Sequence, residues 1–215
     1  MGLEKILHEI FLKSPANLFD AFLERAADLY QMPAHTLLEL RQRDNKKVRG
    51  DVFEEFCALY LKHVMGYEDV WLLSEVPEDI LKGLGLVRKD MGIDIIVRHA
   101  GEFYAVQCKY KKREARKTCV TWQALSTFYA LCLRTGPYKK YIVMTTCDYT
   151  RHQGKKTAAD TSICVGSFRK ITGDQWLRMC SAGVVAGVAA VAAAAAAPLT
   201  PEELRQKRLQ YFETG

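Results

Sequence analysis

The stretch from Ile93 to Tyr110 constrains the fold most: two apolar runs flank a tight turn and leave three polar side chains at one end. Ile93 to Arg98 reads as a strand, His99-Ala100-Gly101 as the reversal and Glu102 to Tyr110 as the returning strand. With Ala100-Gly101 as a two-residue turn, His99 faces Glu102, and the same register sets Asp94 opposite Gln107. A four-residue loop keeps that register, whereas a three-residue loop turns Asp94 to the other face. Opposed residues of an antiparallel pair approach to ~4.5–5.5 Å between Cβ atoms, and period two places Lys109 on the side of Gln107. Ile93, Ile95, Val97, Tyr104, Val106 and Cys108 form one uniformly apolar face, the expected core face. The opposite face carries Ile96, Phe103 and Ala105 near the turn, and Asp94, Gln107 and Lys109 at the far end. Polar groups at one end of a buried face are costly unless paired or ligated, so this cluster points to a site.

The elements around the hairpin follow from periodicity and breakers. Residues 3–43 read as short helices, with Ile6, Leu7, Ile10 and Phe11 on one face and Phe19, Phe22, Leu23 and Ala26 on another; Ser14-Pro15 and Met32-Pro33 interrupt them. A basic connector from Arg41 to Arg49 ends at Gly50, and a helix runs from Asp51 to about His63. Val70 to Leu73 reads as a strand, followed by a loop to Lys89. Beyond the hairpin come a basic loop, a helix near 121–134, strands at Tyr141–Thr146 and Ser162–Val165, and a last helix opening at Thr172. The α-β-β-β-α-β order predicts an α/β fold with a central mixed sheet flanked by helices and a helical N-terminal extension. The expected divisions are an extension over 1–47, the main domain over 48–180, an Ala-rich linker over 181–199 and a short helix over 200–215. Met179 to Ala197 is nineteen residues without a charge, but alanine is only weakly lipophilic, so the stretch reads as a linker and not a membrane span.

Composition narrows the class. Half-hydrophobic content (49%) with 26% charged residues is that of a soluble globular chain, and the net charge of +6 suits a polyanionic partner. Seven cysteines without a CxxC pair, most inside apolar runs, imply free thiols in a reducing intracellular compartment, cytoplasm or nucleus.

The polar cluster fits one chemistry. Phosphodiester hydrolysis needs an oxygen-held divalent cation, an activated water and positive charge near the developing phosphorane. Asp94 is a hard anionic ligand for Mg²⁺ or Mn²⁺, the Gln107 side-chain oxygen and the Cys108 backbone carbonyl lie beside it, and Lys109 is placed to act on the water and the transition state. A second carboxylate is expected from the helix after Gly50. There Glu54 sits at the edge of the buried stripe formed by Val52, Phe53, Phe56, Cys57, Tyr60 and Val64, while Glu55 points further outward. Six of the nine residues from Lys109 to Lys117 are basic. Directly after the site, Lys111, Lys112, Arg113, Arg116 and Lys117 read as phosphate contacts, with Arg41–Arg49, Lys139-Lys140 and Arg151–Lys156 extending that surface. Asp90 reads as an Asx turn before Gly92, His152 as an exposed loop histidine, and Trp122 and Phe128 as core.

Gly50-Asp-Val-Phe53-Glu54, Lys89-Asp90-Met-Gly92-Ile-Asp94 and Gln107-Cys-Lys109 together resemble the three motifs of the PD-(D/E)XK nuclease superfamily, in the Mrr-like restriction endonuclease branch. The resemblance spans roughly residues 48–178. It implies a catalytic core of Asp94, Gln107 and Lys109 with Glu54 as the helix carboxylate, a Mg²⁺-dependent endonuclease activity on DNA, and a homodimer or a helicase-type fused or partner module as companions. Gln107 stands where the superfamily's name has an acid, which leaves the site one charge short. A non-cleaving nucleic-acid-binding module of the same fold is the alternative this substitution keeps open.

Overall fold

The computed structural model describes residues 3–28, 45–89, 92–112, 116–151 and 157–181. Helices α1 (Leu3–Lys13), α2 (Leu18–Asp28) and α3 (Asn45–His63) precede strand β1 (Asp69–Leu72). A 3-10 turn (Leu73–Glu75) and helix α4 (Glu78–Leu84) lead to the hairpin of β2 (Ile95–His99) and β3 (Glu102–Lys109). Then follow β4 (Cys119–Val120), α5 (Trp122–Cys132), β5 (Lys140–Thr145), β6 (Tyr149–Thr150), β7 (Asp160–Ile163), α6 (Val165–Phe168) and α7 (Gly173–Cys180).

The central sheet has the order β1-β2-β3-β5-β7 and is mixed: the first three strands are antiparallel, while β3, β5 and β7 run parallel. The parallel step from β3 to β5 crosses through α5, as a parallel connection requires. β4 and β6 form a small separate parallel pair.

Each face of the sheet has its own core. On one, Ile95, Val97, Val106 and Ile142 meet Phe53, Phe56 and Leu61 of α3, Phe168 of α6 and Trp176 of α7, with α1 and α2 packed into the same cluster through residues such as Leu7 and Phe22. Trp176 is fully buried and its indole Nε1 donates to the Leu7 carbonyl at 3.0 Å, which satisfies the one polar atom of that ring. On the other face Ile96, Ala105 and Val143 pack against Leu81 and Leu84 of α4 and Leu125 and Phe128 of α5. The architecture is therefore the expected α/β sandwich, with a mixed sheet between helical layers and a helical N-terminal region.

The hairpin register is as expected: Ile95 pairs with Val106 and His99 with Glu102. Ala100 (φ 51°) and Gly101 (φ 75°) are both left-handed, which suits the right-handed twist of the flanking strands. Four local expectations are corrected. α3 begins at Asn45, six residues before Asp51, because Lys46, Lys47 and Arg49 are good helix formers that carry Gly50 inside the helix at a cost of ~1 kcal/mol relative to alanine. Leu61 of that helix is fully buried, while Val52 and, one residue past its end, Val64 are only half-buried. The loop to Lys89 contains α4, a short helix with acids in its first turn, Lys82 in its last and Gly85 (φ 70°) as its left-handed stop. The strand near Ser162 ends at Ile163, and Val165 already belongs to α6.

All seven cysteines are free thiols, with Cys57, Cys108, Cys132 and Cys147 buried. Among the described residues no helix is long and apolar enough to cross a membrane. The Ala-rich stretch from Ala182, the segment 200–215, the Met32-Pro33 break, Arg41 and Arg43, Asp90, Arg113, and the loop 152–156 with His152 lie outside the described residues.

Candidate active site

Asp94 sits where β2 gives way to irregular chain. Its backbone N–H donates to the Val106 carbonyl at 2.9 Å and its carbonyl accepts from the Leu73 amide at 2.9 Å, so its main chain is held between β3 and the end of β1. Its carboxylate Oδ2 accepts from the Cys108 amide at 2.6 Å. Asp94 is thus bonded to the residues on either side of Gln107 and stands directly across from it, as the register requires. A carboxylate held by a backbone N–H is a charge-assisted hydrogen bond, shorter and stronger than a neutral one, and it fixes the carboxylate's orientation.

What precedes Asp94 explains why the chain leaves strand geometry. Gly92 has φ 106°, a conformation that side-chain-bearing residues rarely adopt, and a Cβ there would lie 3.3 Å from the Phe128 backbone nitrogen of α5. The glycine of the Gly-x-Asp segment is therefore required twice, by its torsion and by the close passage of α5. This break also corrects one expectation: Ile93 packs with Ile96 and Ala105 on the α5 side, not with Ile95 on the α3 side, because period two does not extend past Asp94.

Gln107 is paired with Val143 of β5 and shares its face, the one towards α5. The residue is only 2% exposed and its Oε1 has no hydrogen-bond partner among the described residues. An unsatisfied buried acceptor costs about 1–3 kcal/mol, which makes this oxygen a candidate ligand donor. Lys109 ends β3, half-buried, opposite Thr145. Lys111, Lys112, Arg116 and Lys117 are exposed, and they continue the chain from it.

Glu54 and Asp94 line one open cavity of about 750 Å³, together with Gly50, Asp51 and Glu55 of α3, Lys47, and Arg88. Asp51, Glu54 and Glu55 share a helix face at spacings of three and four, and among the described lining residues they and Asp94 stand with the cations Lys47 and Arg88. Burial, and then the charges of Asp51, Glu75 and Glu4, push the Glu55 carboxyl above its ordinary range. Gln107 and Lys109 do not line this cavity. The fold therefore brings Glu54 and Asp94 to one space, and sets Gln107 across from Asp94 with Lys109 one strand step beyond.

Behind the site the Cys57 and Cys108 thiols are both buried, and burial, joined by the Asp94 and Glu54 charges, holds both above the ordinary thiol range. They are neutral packing groups at neutral pH. Sequence reasoning did not single out Asp51, Arg88 and the Thr145-Thr146 pair. The helical spacing of Asp51 with Glu54 and Glu55 was a signal for the first; Arg88 and the threonines are brought in only by tertiary contacts.

Oxygen donors of the kind that suits a hard divalent cation are the Asp94 and Glu54 carboxylates in the cavity and, outside its lining, the Gln107 side-chain oxygen and the Cys108 backbone carbonyl. Among the described residues no group of three or more His, Cys, Asp or Glu side chains is arranged to hold a metal.

A family model described as a restriction endonuclease (Mrr_cat_2) matches residues 61–171, just over half of the chain, and takes in Asp94, Gln107 and Lys109 but not Glu54. No curated protein and no solved structure matches the chain. The αβ order, the mixed sheet, the Gly-x-Asp and Gln-x-Lys strand ends and this match agree: the chain belongs to the Mrr-like restriction endonuclease family of the PD-(D/E)XK superfamily.

Proposed function

We propose that the protein is a Mg²⁺- or Mn²⁺-dependent endonuclease that hydrolyses phosphodiester bonds in DNA. The observation that carries the reading is the buried, unpartnered Gln107 oxygen set directly across from an Asp94 carboxylate clamped to the Cys108 amide. In this reading Asp94, Gln107, the Cys108 carbonyl and Glu54 hold the cation. When bound, it neutralises charge on the scissile phosphate and lowers the cost of forming the attacking hydroxide. Lys109 holds the attacking water by hydrogen bond and sets a positive charge beside the phosphorane as its equatorial oxygens gain charge. The Cys108 amide keeps Asp94 Oδ2 oriented. Lys111, Lys112, Arg116 and Lys117, joined by Arg113, track the phosphate backbone, a sequence-independent contribution that weakens with salt. Duplex cleavage by this reading takes two such sites, supplied by a homodimer or a partner module.

Gln107, an amide where the superfamily's name has an acid, favours a second reading, a nucleic-acid-binding module of the same fold that does not cleave. Calorimetric titration separates the two. The nuclease reading expects Mg²⁺ or Mn²⁺ to bind the wild type and not Asp94→Ala, and the binding-module reading expects no cation binding while duplex affinity persists.

A further inference from the structure

The tetrapeptide Thr145-Thr146-Cys147-Asp148, at the end of β5, is bonded to the backbone on both sides of the basic segment. Thr145 Oγ1 donates to the Lys109 carbonyl at 2.8 Å and accepts from the Cys147 amide at 3.1 Å. Thr146 Oγ1 accepts from the Lys111 amide at 2.8 Å and donates to the Lys111 carbonyl at 2.7 Å. Asp148 Oδ2 accepts from the Thr118 amide at 2.8 Å and from its hydroxyl at 3.3 Å, and the Asp148 amide donates to the Thr118 carbonyl at 3.0 Å. Both threonines are fully buried.

These side chains take over where the sheet gives out. The last main-chain bond between the strands, from the Thr146 amide to the Lys109 carbonyl, is stretched to 3.4 Å. Past it, β3 would be free to fray just where it carries Lys109. Each buried hydroxyl instead spends its donor and an acceptor on backbone groups, which fixes the strand's path far better than a methyl of the same shape. The chain from Lys111 to Thr118 is thereby closed at both ends on one short segment, so its exposed cations Lys112, Arg116 and Lys117 leave from fixed points.

We infer that Thr145 and Thr146 are positioning residues: Thr145 sets Lys109 for the chemical step, and Thr146, with Asp148, sets the phosphate-tracking segment. The inference rests on the nuclease reading above. A misplacement of about 1 Å at a reacting group costs on the order of 10²-fold in rate, so the two threonines separate kinetically. Thr145→Val lowers kcat for plasmid nicking at least about ten-fold with KM within about two-fold, and Thr145→Ser restores it. Thr146→Val raises KM several-fold with kcat little changed, and Thr146→Ser restores KM. Serine variants as impaired as the valine variants, or valine variants equal to wild type in both constants, overturn the inference. Should a valine variant fail to fold, the alanine variant replaces it, since it removes the hydroxyl without adding a methyl.

Amide hydrogen exchange keeps the two claims apart. Thr146→Val speeds exchange at Lys111 by about ten-fold or more while leaving β2 protected; unchanged exchange at Lys111 overturns the clamp whatever the activity. A wild-type protein that does not nick in Mg²⁺ or Mn²⁺ overturns the nuclease reading, and the exchange comparison still decides the clamp.

Discussion

At the scale of single residues, Gln107 and Gly92 bear most directly on the proposed site. The Gln107 oxygen is buried without a partner, a cost of about 1–3 kcal/mol that an apolar side chain of similar size avoids. Gln107→Leu is therefore expected to unfold at a urea midpoint equal to or above that of the wild type while losing plasmid nicking by 10²-fold or more. A destabilised Gln107→Leu protein would show instead that the amide is there for the fold. Gly92 holds φ 106° against the α5 backbone, so Gly92→Ala combines torsional strain with a crowded contact. It should cost about 1–3 kcal/mol in equilibrium unfolding and depress nicking as well, because Asp94 follows two residues later. A variant with wild-type stability contradicts this account of the turn.

At the scale of elements, the hairpin was the most legible part of the chain. Its register followed from the two-residue turn, and Asp94 lies across from Gln107 as period two requires. Periodicity failed one step further, at Ile93, because a glycine with positive φ breaks the strand and sends that side chain to the other core. Helix α4 was missed since seven residues give too few turns for a 3.6-residue period to emerge, although Pro77, the first-turn acids and Gly85 punctuate it. α3 starts six residues before the expected position because Gly50 reads as a stop, whereas the helix-forming Lys46, Lys47 and Arg49 carry the helix through it. Of the candidate site, Asp94 and Glu54 could be assigned from pattern. The Thr145-Thr146 clamp could not, since it depends on strands β3 and β5 being neighbours.

At the scale of the whole molecule, two cores on opposite faces of one sheet bury several weak acids. Burial raises the Cys57 and Cys108 thiols, takes Cys132 up to about 12, and takes the Tyr138 phenol up to about 12. Unfolded thiols ionise near ~8.5 and phenols near ~10, so above these values the unfolded chain releases protons that the folded chain keeps. A raised folded pKa gives stability that is complete below the unfolded value and is lost as pH rises. The unfolding free energy from urea titrations in reducing buffer should hold steady up to about pH 8 and fall between pH 9 and 10, by about 1.4 kcal/mol per pH unit for each of the Cys57, Cys108 and Cys132 thiols. A flat profile over that range contradicts the burial of these groups. The central claim concerns chemistry, and a supercoiled-plasmid nicking assay addresses it most directly. The wild type should nick in Mg²⁺ or Mn²⁺ and not in excess chelator, while Asp94→Ala and Lys109→Ala each fall by 10²-fold or more. Equal nicking by wild type and both variants, or no nicking by the wild type in either cation, would contradict it.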